Sequence, residues 1–260
     1  MTDTPVAMPT RLSPSSVTTF LQCQLKYKLS RIDKIVEPPS DAQVLGNVTH
    51  EALEGVFALP AGERTLPAAR RIMIAQWHDK WQRVCAEELR LTAHGQHVLR
   101  WNAWSCVENY FALEDPNTVT LDGVEEEVFS VIDGVPMLGY MDRWYVDDDG
   151  QAVIQDYKTG KVSKPPYDEE KKLQLYIYTD LVQQLKDVPV KRAELLYLKG
   201  KGKRVAYTPS TDDLHGMRQT VRKVWDDLET ACETGEFTTN KTRLCDWCYY
   251  KTSCPAWQRK

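Results

Sequence analysis

Two strand-like stretches flank the turn Asp147-Asp148-Asp149-Gly150, and together they commit the middle of the chain to a β-hairpin. Val135 to Val146 and Ala152 to Lys158 are rich in apolar, aromatic and β-branched residues, while the Asp-rich turn ending in glycine supplies a tight reversal. The two strands therefore pair antiparallel, and Asp142 on the first can meet Asp156 on the second across the ladder. A period of two also points Asp156 and Lys158 to one face and Tyr157 to the other, leaving the Tyr157 carbonyl as a further oxygen donor. Two close carboxylates without a cation repel and raise each other's pKa; a hard divalent cation turns that repulsion into ligation. An ammonium beside them suits attack on a phosphodiester. Taken singly, each acid also reads as a solvated residue on a surface hairpin.

Around this hairpin the pattern alternates helix and strand. Ser13-Pro14-Ser15-Ser16 is a helix start, and the short helix that follows ends near Cys23. Val44 to Leu59, about Pro67 to Leu91 and His94 to Leu113 read as helices whose aromatic residues, Trp77, Trp81, Trp101, Trp104 and Phe111, face the core. Gly46, His50 and Glu54 fall one turn apart on the first of these. Val124 to Ile132 precedes the hairpin as a third strand, after which come a helix from Tyr167 to Lys186, a strand from Arg192 to Leu198, a short strand from Val205 to Tyr207 and a helix capped by Ser210 or Thr211. The expected fold is α/β, a single domain over residues 1–260. Residues 13–115 form a helical region contributing Cys23 and His50, residues 120–207 the sheet and its helix, and residues 208–260 a final helix and Cys-rich tail.

With 42% hydrophobic residues the chain can bury a sizeable core. It has no long apolar run and no signal-like start, so neither a membrane span nor secretion is expected, and the expected location is cytoplasmic. A net charge of -4 requires any nucleic-acid path to be a local positive groove. Lys199 to Arg204, with Lys161, Lys164, Lys171 and Lys172, could supply one; a solvated hairpin tip is the alternative. Seven cysteines without a secretory signal argue against a disulfide framework. Cys85, Cys106 and Cys232 sit in amphipathic patterns and read as small buried residues. Cys245, Cys248 and Cys254, spaced C-x2-C-x5-C, lie in a loop-like tail that could wrap a metal centre, with Cys23 as the remaining candidate ligand.

Five elements occur in one order: Cys23; Gly46-x3-His50-x3-Glu54; Gly139-x2-Asp142 with Asp156-x-Lys158; Gln174-x3-Tyr178; and Cys245-x2-Cys248-x5-Cys254. In this order they resemble the PD-(D/E)xK nuclease superfamily, in particular the RecB-like exonucleases that carry an iron-sulfur cluster, among them CRISPR-associated and phage-borne members and the AddB nuclease domain. The resemblance spans nearly the whole chain and implies a restriction-endonuclease-like core of helix, three-stranded meander, helix and strand. One departure is Gln24, where proline usually follows the first cysteine.

What the resemblance implies is an exonuclease acting on DNA, with single-stranded ends favoured. His50, Asp142 and Asp156, with the Tyr157 carbonyl, would hold Mg2+ or Mn2+, and Lys158 would position or activate water. Gln174 and Tyr178 would orient Lys158 or touch the DNA backbone, or else simply close a core edge. Glu54 and Glu127 are read as supporting rather than ligating. Cys23, Cys245, Cys248 and Cys254 would hold a four-iron four-sulfur cluster, with zinc as the competitor. Clipping residue 23 to residue 245 closes so long a loop that the cluster would contribute ~5 kcal/mol through chain entropy, a structural role. A recombination or CRISPR-adaptation protein is the partner such a chain would serve. The alternative function is a non-catalytic DNA-binding or assembly subunit that retains the four-cysteine metal site while a partner cuts. No G-x4-G-K-[ST] segment is present, so the chain shows no recognisable ATP-driven motor.

Overall fold

The computed structural model describes residues 6–162 and 168–258. Six helices lead: α1 (Pro14–Gln22), α2 (Gln24–Tyr27), α3 (Asp41–Phe57), α4 (Leu66–Gln76), α5 (Gln82–Glu87) and α6 (Ala93–Leu113). Strands β1 (Gly123–Ile132), β2 (Val135–Val146) and β3 (Ala152–Lys158) follow, then α7 (Glu169–Lys186), β4 (Val190–Tyr197), β5 (Lys203–Tyr207) and α8 (Thr211–Thr234). The tail closes with the short helical turns Arg243–Trp247 and Tyr249–Ser253. Caps set several of these boundaries: Ser13 with Ser16 at α1, Ser40 with Gln43 at α3 and Ser210 with Asp213 at α8 each form a reciprocal capping box.

The strands form one mixed sheet in the order β1-β2-β3-β4-β5. Neighbours are antiparallel except β3 and β4, which run parallel and are joined by α7. One face packs Val128, Met137, Met141 and Ile154 against Val17 and Phe20 of α1, Leu175 and Leu181 of α7 and Val221 of α8. The other sets Tyr157 and Leu196 against Val48 and Leu53 of α3, Met73 of α4 and Val107 of α6. A mixed α/β fold with a five-stranded sheet results, and the expected three-strand meander is its first half. No helix among the described residues is long and apolar enough to cross a membrane.

Two expectations are corrected. The helix expected from Pro67 to Leu91 is interrupted by a wide π turn at Trp77–Trp81 and stops at Glu87. Trp101, expected in the core, is 58% exposed. At 3.6 residues per turn it lies about 160° round α6 from Ala103, the centre of that helix's buried face. Trp77, Trp81 and Trp104 are buried as their spacing implies, and so are Cys85, Cys106 and Cys232. The expected start of α7 at Tyr167 lies outside the described residues, as does Lys164.

Candidate active site

The site forms where the β2–β3 hairpin comes apart. Pairing between these strands runs from Val146↔Ala152 only to Arg143↔Gln155. Beyond that point the Tyr157 N–H finds no β2 carbonyl, and the Asp142 side chain takes its place: Oδ2 accepts from the Tyr157 N–H at 2.5 Å. The pleat also slips here. Met141 and Trp144, three residues apart, enter the same core, which strict alternation forbids. On the facing strand Glu125 stands between the pairs Val124↔Arg143 and Glu126↔Met141 and takes up the irregularity with a φ of 45°.

Helix α3 brings His50 to this break. Its Nδ1 lies 3.3 Å from Asp142 Oδ1 and 3.8 Å from Glu125 Oε1, while its Nε2 lies 3.2 Å from the Tyr157 carbonyl oxygen. His50, Glu125 and Asp142 each present one donor atom, all within 4.8 Å of one another. Burial alone would lower the imidazole pKa; Asp142, helped by Asp156 and Glu125, reverses this and carries it to about 9. Burial, followed by the field of Asp142, pushes Glu125 up to about 7. The cluster is thus short of positive charge.

Asp156 and Lys158 project together from β3. The Lys158 ammonium pairs with Asp156 Oδ2 at 2.5 Å. Burial pushes Asp156 up despite that ammonium. Gln174, on α7, ties the two together: its Nε2 donates to Asp156 Oδ1 at 3.1 Å and its Oε1 accepts from Lys158 at 3.3 Å. One turn on, Tyr178 donates to the Tyr140 carbonyl at 2.6 Å. Its ring lies over Gly139, where an added Cβ would come within 2.6 Å of the Tyr178 ring, so a side chain there would push α7 off the strand.

Two residues of the site escape sequence reasoning. Glu125 sits in the run Glu125-Glu126-Glu127, where strand periodicity cannot rank three acids. Glu127, the one singled out there, is instead the acceptor of the Tyr140 hydroxyl; the negative charge of Glu54 acts on Glu125. The other is Arg143, fully buried beside Asp142. Its guanidinium carbon lies 5.1 to 5.3 Å from the ring centroids of Tyr110, Phe57 and Tyr157, and it donates to Tyr110 Oη and Glu114, both at 2.7 Å. An arginine in an alternating strand carries no sign that it points inward. Of the basic turn, Arg204 is engaged by Glu114 at 2.7 Å, and Lys199 and Lys201 are exposed; on α7, Lys171 donates to the Tyr197 hydroxyl at 3.2 Å.

The four tail-associated cysteines meet beside the first turn of α7, where Glu170 lines their cavity. Cys23, Cys245, Cys248 and Cys254 line one cavity of about 480 Å³, with Leu25, Leu29 and Tyr250 packed against Cys23, Cys248 and Cys254. Gln24 is the clasp. Its Oε1 accepts from the N–H and the hydroxyl of Thr238 at 3.0 and 2.8 Å, the Leu25 N–H donates to the Thr238 carbonyl at 3.1 Å, and Asn240 donates to the Gln22 carbonyl at 3.0 Å. No three of the four sulfurs lie within 4.8 Å of one another.

Similarity to known proteins follows the same lines. The chain is 25% identical to the Gene 69 protein of Mycobacterium phage D29, across 98% of this chain and all of that one. It is 24% identical to the Gene 69 protein of Mycobacterium phage L5, across 99% and 100%. Its fold matches a solved structure from Eubacterium rectale, provisionally named an exonuclease, with a TM-score of 0.63 at 12% identity, covering 96% of this chain and 90% of that one. Residues 11–255, which include every site residue described above, match the PD-(D/E)XK nuclease superfamily, and to that superfamily the chain belongs.

Proposed function

We propose that this chain is a Mg2+- or Mn2+-dependent deoxyribonuclease that degrades DNA from single-stranded ends. The observation that carries the reading is the meeting of His50, Glu125 and Asp142 donor atoms within 4.8 Å, next to the Asp156–Lys158 pair. This set of one imidazole and several carboxylates fits a hard divalent cation. His50, Asp142, Asp156 and the Tyr157 carbonyl would hold it, with Glu125 as an added carboxylate. When bound, such a cation polarises the phosphate and lowers the pKa of an attached water. Lys158, whose own pKa rises because Asp156 outweighs its burial, stays charged and places a positive group where the phosphate becomes most negative. Gln174 fixes the angle between Lys158 and Asp156, and Tyr178 anchors the strand that carries Asp142. The phage relatives favour a role in processing phage DNA.

The test uses end-labelled single- and double-stranded DNA of both polarities with each divalent cation. Single strands should be shortened progressively from an end with Mn2+ or Mg2+, and Asp142→Ala, Asp156→Ala and Lys158→Ala should remove this while the circular dichroism spectrum stays unchanged. Undiminished digestion by those variants would overturn the proposal.

Cys23, Cys245, Cys248 and Cys254 we assign to a structural four-iron four-sulfur cluster. Anaerobically purified protein should be brown and carry iron and sulfide. Colourless protein with one zinc per chain would replace the cluster with zinc.

A further inference from the structure

Beyond Glu125 and Asp142 the β1–β2 ribbon buries only one of its faces. Val128, Ile132, Val135, Met137 and Met141 enter the core shared with α7 and α8, and alternation turns their neighbours outward. Pairing sets Glu127 opposite Tyr140, Phe129 opposite Leu138 and Val131 opposite Pro136 on that outer face. Tyr140, Phe129 and Val131 are 55%, 51% and 48% exposed. None of the apolar residues on this face belongs to a core cluster of the described residues. Two aromatic rings and an aliphatic side chain thus stand together in solvent on one strip.

Its position and shape narrow the occupant. The next outward positions along the same strands are Glu125 and Asp142, so the strip begins at the candidate metal site and leads away from it. Same-face residues on a strand are roughly 7 Å apart, which puts Tyr140 one step and Leu138 two steps from Asp142. Two strands wide and five residues long, the strip measures about 10 Å by 17 Å. That is far below the roughly 800 Å² per partner of a specific protein interface. A narrow linear ligand fits better. Arg11, beside the Leu12↔Met137 bridge, stands within electrostatic reach of the Tyr140 hydroxyl and offers a cation at the edge of the strip. The acid on this face, Glu127, already accepts the Tyr140 hydroxyl. Aromatic rings bordered by a cation are how proteins hold unpaired bases regardless of sequence.

We infer that the outer face of β1–β2, through Phe129, Val131, Leu138 and Tyr140, is a base-stacking lane that guides a single nucleic-acid strand to the Asp142 end of the ribbon. The lane rests on the nuclease reading for its direction, and it explains a preference for unpaired ends: a base inside a duplex has no free face to offer the rings.

The experiment measures binding apart from cutting. Fluorescence anisotropy of a labelled twelve-nucleotide strand is followed in EDTA, using the full chain, and compared with the same strand carrying abasic sites and with its blunt duplex. The normal strand should bind about tenfold or more tightly than the abasic one. Phe129→Ala and Tyr140→Ala should each remove most of that advantage and leave abasic binding unchanged, while Tyr140→Phe, which keeps the ring, should retain it. Equal binding of normal and abasic strands by the wild-type chain would overturn the lane. So would alanine variants that melt normally and bind normally, equal binding of the duplex, or a wild-type dimer that Phe129→Glu converts to monomer. Hydrolysis is assayed separately with Mn2+. A chain that binds as expected and cuts nothing sinks the nuclease reading alone, and one that cuts while ignoring the bases sinks the lane alone.

Discussion

Asp142 divides its two oxygens between backbone and site: Oδ2 accepts the Tyr157 N–H at 2.5 Å, while Oδ1 faces His50 Nδ1 at 3.3 Å. One carboxylate thereby closes the gap in the β2–β3 ladder and turns its other oxygen toward the candidate metal site. The two duties separate by substitution. Asp142→Asn keeps an oxygen for the Tyr157 N–H and loses the charge, so its melting temperature should stay near wild type while nuclease activity falls at least about 100-fold. Asp142→Ala should lose both, the unpaired N–H costing roughly 1–3 kcal/mol in a urea melt.

Gln174 touches Asp156 and Lys158 at once, at 3.1 and 3.3 Å. Gln174→Ala frees the ammonium from its fixed angle, and the expected result is a drop in kcat of roughly 10- to 100-fold with little change in KM. Steady-state rates on a labelled single strand check this; a change confined to KM would instead mark Gln174 as a DNA contact.

The site should make the metal-free protein weaker as pH rises. Glu125 has a folded pKa of about 7, above its ordinary 4.5, so the folded state binds the proton more tightly and stability falls between those values. His50 is raised from 6.5 to about 9; its contribution is fully present below 6.5 and is lost as pH climbs through 9. In EDTA the melting temperature should therefore decline from about pH 5 to about pH 9. Glu125→Gln should flatten the lower half of that decline, and Mn2+ should raise stability most at the alkaline end. Melts that are level across this range would refute the account.

Arg143 is fully buried, ringed by Tyr110, Phe57 and Tyr157 and paired with Glu114 at 2.7 Å. Arg143→Ala takes from half-buried Glu114 one of its two arginine partners, Arg204 remaining, and leaves an aromatic cage without its occupant, a loss of roughly 3 kcal/mol. The double variant with Glu114→Gln should be more stable than the single, as measured by denaturant unfolding. Additive losses would show that the two residues act independently.

The clasp at Gln24 should matter to the tail and not to the cut. Removing its acceptor oxygen with Gln24→Ala strands two donors of Thr238, so hydrogen exchange should quicken at residues 236–240. Protection unchanged there would show that the cysteines alone hold the tail.

Alternation and turn chemistry suffice to read the β1–β2–β3 meander, the Asp156–Lys158 face and the helix that presents His50, because each depends on neighbours a few residues away. The helix starts at Ser13 and Ser210 are legible for the same reason. Other features depend on contacts between distant segments. Glu125 becomes a partner of Asp142 only because the pleat slips there and its own backbone adopts a φ of 45°, a distortion that no run of three glutamates announces. Arg143 turns inward because α6 and β3 supply a cage and an acid from far along the chain. Trp101 turns outward because the buried stripe of α6 is centred on the far side of the helix. Local periodicity sets which elements form; the packing of those elements against one another decides which side chains share a site.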